Sequence, residues 1–238
     1  PSACRILYLQ NDWDFRAFTE DPHRWDAQYD LILHASPKPP ESKSRKQKAE
    51  SRSSGKARSR FFRMPADPEL YFPADSTGKF GACDVVYVSN NIKPYLNQDW
   101  IMPLGRHFGD RFRIYGSMWE KSGLDSWGAP PGMVVPDLFA SAKIVLALHL
   151  EDHRRYNATT CRIPEALLAG KPVIADLVGQ EEFGDYVWYC ASGPELVAAA
   201  EWILSNYEEA RARALRGREH VLKHHTFEQR TRQLLSYL

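Results

Sequence analysis

Short apolar runs alternate with stretches of helical period along this chain. Arg5–Leu9, Leu31–His34, Phe61–Met64, Asp84–Val88, Arg111–Tyr115, Ile144–Leu148, Pro172–Ala175 and Val187–Cys190 are each too short for a helix and rich in β-branched or aromatic residues, so they predict strands. Helical spacing falls near 93–108, 136–143, 161–170 and 194–205, and again over 207–236. His224, His225 and Thr226 interrupt that last stretch, and Thr226 is placed to cap a final helix from Phe227. Near-continuously apolar strands alternating with helices predict an α/β fold, a Rossmann-like parallel sheet with helices on both faces. The stretch 65–82, full of Pro, Asp and Gly, divides the pattern. The expected parts are a partial, smaller N-terminal α/β portion over 1–75, a Rossmann-like domain over 76–206 and C-terminal helices over 207–238. No internal repeat is visible.

Composition narrows the class. A chain of 238 residues with seven Trp can bury a core without disulfides. Cys4, Cys83, Cys161 and Cys190 form no CxxC pair, which argues for free thiols in a reducing compartment and against a structural zinc site. No signal-like N-terminus and no apolar run of membrane-spanning length is present, so a cytoplasmic location and no membrane span are expected. The net charge of +1 hides an asymmetry, because residues 38–60 carry nine basic and two acidic side chains. This Ser-, Lys- and Arg-rich run reads as a solvated basic loop. A nucleic-acid or anionic-membrane contact is the alternative, disfavoured because no aromatic residue interrupts the run to stack on bases.

The segment Asn157–Asp176, NATTCRIPEALLAGKPVIAD, carries the most chemistry. Thr159 or Thr160 is a candidate N-cap, Pro164 suits the first helical turn, and Gly170 supplies a left-handed stop before the strand PVIA. A helix opening there offers backbone N–H groups and a positive dipole end to a phosphate. Arg162 could pair with phosphate oxygens, and Glu165 could accept from ribose hydroxyls. The same residues are also consistent with a dipole-complementing Glu165 and a surface Arg162. Asp12 and Asp14 follow the first strand; they are weak candidates for a metal or general-base role, and the catalytic residue is otherwise unassigned. His149, Glu151, Asp152 and His153 cluster after a strand, but His149 and His153 share a face only on a helix, so cleft lining or loop solvation is preferred to metal ligation. Arg154 and Arg155 could reach a diphosphate from the same loop. Nucleophile-elbow, zinc-protease and Walker motifs are absent.

FRIYGSMW (112–119), LFASAKIVLALHL (138–150), RIPEALLAGKPVIAD (162–176), PELVAAAEWIL (194–204) and REHVLKHHTFEQR (218–230) occur in the order found in GT-B glycosyltransferases. Together they resemble the CgeB-type, spore-protein-like glycosyltransferases, and MPADPELYFPAD (64–75) resembles the linker entering that family's donor domain. The resemblance covers roughly 60–236. It implies two Rossmann-like domains facing a cleft, a nucleotide-sugar-binding domain over 76–206, and transfer of a sugar from a nucleoside diphosphate sugar to an unidentified hydroxyl acceptor. It implies no cofactor and no metal. Glu165 then matches the ribose-binding Glu and Arg162 the basic residue before it. Thr160, Asn157 and Arg155 fall near the diphosphate, Tyr115, Gly116 and Ser117 near the nucleotide, Val135 near the base, and Ser89 and Asn90 in the first donor-domain turn. Ala158 stands where many retaining enzymes have a second Glu. The acceptor-side portion is short, which implies a segment upstream of Pro1 or a partner. The competing expectation is a non-catalytic nucleotide- or partner-binding module on a degenerate GT-B fold.

Overall fold

The computed structural model describes residues 4–9, 29–35, 58–74, 78–91 and 97–238. Strands β1 (Ile6–Leu9), β2 (Leu31–His34) and β3 (Arg58–Phe61) form a parallel sheet in that order, with Ile6 opposite Leu31 and Leu31 opposite Arg58. Strands β4 (Cys83–Val88), β5 (Phe112–Tyr115), β6 (Ala142–Ala147), β7 (Val173–Ala175) and β8 (Trp188–Tyr189) form a second parallel sheet in the order β5-β4-β6-β7-β8. The helices are α1 (Met102–Phe108), led by a π-helical turn at Asn97–Ile101, then α2 (Val135–Ser141), α3 (Glu151–Tyr156), α4 (Arg162–Leu168), α5 (Gln180–Phe183), α6 (Gly193–Ser205), α7 (Tyr207–His224) and α8 (Phe227–Tyr237). This is the expected parallel α/β sheet flanked by helices; of the N-terminal portion the described residues give the three-stranded parallel sheet.

Both faces of the larger sheet are covered, and strand alternation decides which residue goes where. Val85, Tyr87, Ile144, Leu146 and Ile174 pack with Leu104 and Phe108 of α1 and with Leu196, Ala200 and Ile203 of α6. Val86, Val145, Ala147, Val173 and Ala175 pack with Leu138 and Phe139 of α2, Ile163 and Leu167 of α4 and Ala214 and Val221 of α7. Helix α4 stops as expected. Gly170 adopts φ 67°, its N–H reaches the Leu167 carbonyl at 2.9 Å, and the Lys171 N–H reaches that of Ala166 at 3.0 Å, a Schellman closure that turns the chain into β7.

The C-terminal helices return to the first sheet. The Ala66 N–H meets the His225 carbonyl at 2.9 Å, and the Tyr237 hydroxyl donates to the Phe61 carbonyl at 3.2 Å. Thr226 caps α8 through Gln229 N–H, as the sequence predicts. Beneath this crossing lies a charged node. Arg63, 6% exposed, pairs with Glu182 of α5, and Arg230 approaches the same carboxylate at 4.0 Å. His225 Nδ1 lies 3.3 Å from Glu182 but accepts from Arg230 Nη2 at 3.0 Å, while its Nε2 faces His220 Nε2 at 3.3 Å. These roles fit a neutral imidazole protonated at Nε2.

Three expectations change. The strand foreseen at Phe61–Met64 runs three residues earlier, so the basic stretch ends in β3, which among the described residues is an edge of its sheet, where charged residues are tolerated. Residues 38–57 of that stretch, and Asp12 and Asp14, lie outside the described residues. The stretch after β6 is not loop but the helix α3, whose six residues carry no side-chain N-cap to announce it. The α4 cap is Cys161 rather than Thr159 or Thr160, with no side-chain capping bond. No helix among the described residues is long and apolar enough to cross a membrane.

Burial, then the Arg230 cation, push the His225 pKa from 6.5 down to about 3. The unfolded chain therefore takes up a proton that the folded chain refuses, and the stability tied to neutral His225 is complete above about 6.5 and drains away as pH falls toward about 3. Glu182, raised by burial, contributes the opposite slope and is common to wild type and variant. Urea unfolding across this pH range should show a shallower acid loss for His225→Gln than for wild type; parallel profiles would contradict the assignment.

Candidate functional site

Strand β4 is flanked by β5 on one side and β6 on the other, so the chain reverses its direction of progress across the sheet between β4 and β6. The crevice outside the C-terminal ends of the strands at such a reversal is where ligands sit in open α/β sheets. Every described residue of the predicted site lies in a segment at that end of the larger sheet.

Ser89 and Asn90 follow β4, and Gly116 and Ser117 follow β5. The two turns are stitched together: Ser117 N–H donates to Asn90 Oδ1 at 2.9 Å, Asn91 N–H to the Ser117 carbonyl at 2.9 Å, and Trp119 Nε1–H to the Ser89 carbonyl at 2.9 Å. Gly116 permits this approach, since a Cβ there would stand 1.9 Å from the Ser89 carbonyl oxygen. Tyr115 and Val135, expected at the nucleotide and base, are 4% and 6% exposed and pack into the core. Their side chains are committed to packing because both sit on the inward face of their elements.

His149 and Asp176 meet at the ends of β6 and β7. His149 is fully buried, which corrects the expectation of cleft lining or loop solvation. Its Nδ1–H donates to Asp176 Oδ1 at 2.7 Å, its backbone N–H to Oδ2 at 2.9 Å, and its Nε2 accepts from Thr160 N–H at 3.2 Å. Arg154 Nε lies 2.9 Å from Asp176 Oδ2, with its guanidinium 4.4 Å from the Trp100 ring centre. Burial opposes the Asp176 charge, but the hydrogen bonds from His149 and the Arg154 cation outweigh it and hold the carboxyl below its usual range. A cavity of about 500 Å³ opens beside this cluster, lined by Trp100, Arg154, Asn157, Asp176 and Gln180 among others. Its size suits a small ligand.

The segment 157–165 borders that cavity. Asn157 turns left-handed (φ 50°) to end α3, and its Oδ1 accepts from Gly179 N–H at 3.1 Å. Thr160 has given its N–H to His149, so that donor is engaged within the protein. Glu165 is directed inward: Arg162 Nη1 donates to its Oε2 at 3.0 Å, and the Glu165 side chain is 13% exposed. Arg162 also lies 5.6 Å from the Phe139 ring. Burial and then the Glu165 charge push the Cys161 thiol up to about 12, so it stays protonated at neutral pH. Arg155 is exposed, over the Tyr156 ring at 5.6 Å. Among the described residues no group of three or more His, Cys, Asp or Glu is arranged to hold a metal ion. The sequence reading assigned Asp176 no role, although a lone Asp closing the apolar run VIA is a visible signal.

The profile of a family described as glycosyl transferase-like matches residues 94–236, more than half of the chain and all of the segment just described. No curated protein matches. Among solved structures, sucrose-phosphate synthase from Thermosynechococcus elongatus superposes with a TM-score of 0.65 at 13% identity, over 98% of this chain and 66% of that one. Anabaena HepE, solved in complex with UDP and glucose, gives 0.65 at 16% identity, over 98% and 70%. A glycosyltransferase from Rickettsia africae gives 0.59 at 11%, over 98% and 69%. At such identities the likeness establishes the GT-B fold and no more, and the chain spans about two thirds of the length of these proteins.

Replacing Gly116 by Ala drives a methyl group into the Ser89 backbone and separates the stitched turns. Gly116→Ala should lower unfolding free energy by roughly 2–3 kcal/mol in urea titration, within the range of overpacking and strained-backbone substitutions; a change under about 0.5 kcal/mol would show that the turns are free to part.

Proposed function

We propose, from the premise that this chain belongs to the glycosyl transferase-like family, that it transfers a sugar from a nucleoside diphosphate sugar to a hydroxyl acceptor. The observation that carries the reading is the placement of Glu165, a largely buried carboxylate held by Arg162, at the opening of α4 on the C-terminal side of the sheet. The UDP bound to the structural neighbour HepE makes a uridine nucleotide the first donor class to try.

In this reading Glu165 accepts hydrogen bonds from ribose hydroxyls. The diphosphate lies along 157–162, with Arg162 and Arg155 supplying positive charge, and Asn157, Thr160, Ser89, Asn90, Gly116 and Ser117 shape the surrounding loops. Transfer breaks the bond between the sugar's anomeric carbon and the diphosphate oxygen and forms one from that carbon to the acceptor oxygen. The acceptor loses its proton, and the nucleoside diphosphate leaves with the bonding pair. Basic side chains that stabilise the departing charge lower the barrier because they are in place before it develops. The acceptor, the base that takes its proton and the stereochemical course are not assigned.

Incubation with a panel of UDP-sugars should release UDP, and a protein that binds without releasing UDP would instead be a non-catalytic module. Glu165→Ala should weaken UDP binding at least about tenfold, as expected for loss of hydrogen bonds to a charged acceptor; unchanged affinity by calorimetry would remove Glu165 from the site. Because the leaving charge falls to arginines here, EDTA should leave UDP release unchanged, and inhibition reversed by Mg²⁺ or Mn²⁺ would overturn the metal-free mechanism.

A further inference from the structure

Residues 157–160 lead into α4, and each is tied to the segments that follow β6 and β7. Asn157 Oδ1 accepts from Gly179 N–H at 3.1 Å, and Ala158 N–H donates to the His153 carbonyl at 2.8 Å. Thr159 lies so close to Gly179 that a Cβ there would stand 2.3 Å from its Cγ2. Thr160 N–H donates to His149 Nε2 at 3.2 Å, and of these tethers it stands closest in the chain to Arg162 and Glu165. That last tether works for one arrangement of protons only. A neutral imidazole carries a single N–H, and a backbone N–H can be received only by the ring nitrogen that lacks it. The ring proton therefore sits on Nδ1, where Asp176 Oδ1 receives it at 2.7 Å. His149 is 0% and Asp176 1% exposed, so water cannot substitute for either bond. Asp176 is in turn oriented through its other oxygen: Oδ2 accepts from the His149 backbone N–H at 2.9 Å and from Arg154 Nε at 2.9 Å.

We propose that His149 and Asp176 are positioning residues for the donor: Asp176 keeps the ring proton on Nδ1, and the bare Nε2 sets the backbone of Thr160 and, through it, the Arg162 end of the segment along which the diphosphate lies. The inference rests on the reading that residues 157–162 hold the diphosphate. A guanidinium stabilises a departing charge only when it is in place beforehand, and a small displacement of the chain that carries it is costly. Arg155 precedes the tether and Arg162 follows it, so the Thr160 backbone governs the spacing between the two cations. A ring protonated on Nε2 instead would face Thr160 N–H donor to donor and push the segment away. Exchanging Asp176 for its amide forces that arrangement. The two donors at Oδ2, one of them charged, claim the amide oxygen, which leaves the NH2 group facing His149 Nδ1 and drives the ring proton to Nε2. Val178 N–H, 3.4 Å from Oδ1, is too distant to reverse that choice.

The test uses the full chain, with UDP affinity from calorimetry, midpoints from urea unfolding and the His149 tautomer from ¹⁵N spectra assigned against a His149→Asn protein. In wild type Nε2 should resonate as the unprotonated nitrogen. Asp176→Asn should invert that pattern and weaken UDP binding about fivefold or more. In His149→Asn the amide nitrogen takes the place of Nδ1 and keeps Asp176 satisfied, but the side chain ends short of Thr160. In His149→Gln the amide oxygen takes the place of Nε2, and Asp176 loses its ring donor. His149→Asn should therefore be the more stable of the two and yet bind UDP at least about threefold more weakly than His149→Gln. Affinities that are equal, or that follow stability, are what a purely structural pair produces, and they overturn the proposal. So does a wild type with its ring proton on Nε2, or a His149→Asn protein that binds UDP like wild type. Should Asp176→Asn fail to fold, the two His149 variants and the wild-type spectrum decide the matter. A wild type that binds no UDP sinks the reading of 157–162 as the diphosphate segment, and this inference with it, whichever tautomer is found.

Discussion

A carboxylate buried at the C-terminal edge of the sheet has to find donors, and much of the site follows from how Asp176 does so. It ends β7 at 1% exposure, where an unpaired charge would cost several kcal/mol. Its partners come from three segments: the ring and backbone of His149 after β6, Arg154 on α3, and Val178 N–H in the turn beyond. Holding them fixes the loops after two neighbouring strands and the orientation of α3. His149 then passes the constraint on through Nε2 to Thr160, one residue before the α4 cap.

Polar nodes and apolar layers divide the work. The two faces of the sheet are sealed by aliphatic and aromatic packing, which is non-directional and tolerates small shifts. The ends are fixed by charge. Asp84 at the start of β4 holds Arg111 and Lys143 at 2.9 and 3.1 Å, a structural contact at the N-terminal edge. Arg63 and Glu182 tie the connector to α5 under the returning α8. The site lies between the Asp176 and Arg63 nodes, and its loops inherit their geometry from both. Many of its polar groups are already engaged with protein, among them Asn90, Ser117, Asn157 and Thr160. They are therefore better placed to hold a loop in shape than to bind a ligand directly.

Seven of the eight described strands were legible in place along the chain because buried parallel strands are largely apolar and bounded by Gly, Pro and charge. The end of α4 was equally plain, since Gly170 followed by a Pro-Val strand admits few conformations. The errors fell where local signals are weak. Helix α3 has no side-chain cap and only six residues, and β3 carries Arg and Ser at a sheet edge. His149 was misplaced for a different reason. A histidine after a strand reads as a loop residue unless its partner is known, and Asp176 is twenty-seven residues away.

By itself, then, the sequence determined most of the elements, their parallel arrangement and the end of α4, because period and turn chemistry are read within about ten residues. Only the tertiary structure decided which side chains are engaged and which are left for a ligand. The partners of Asp176 and of Glu182 come together from strands, helices and a connector far apart in the chain. Burial, which gives each of those contacts its strength, exists only once the layers have closed over them.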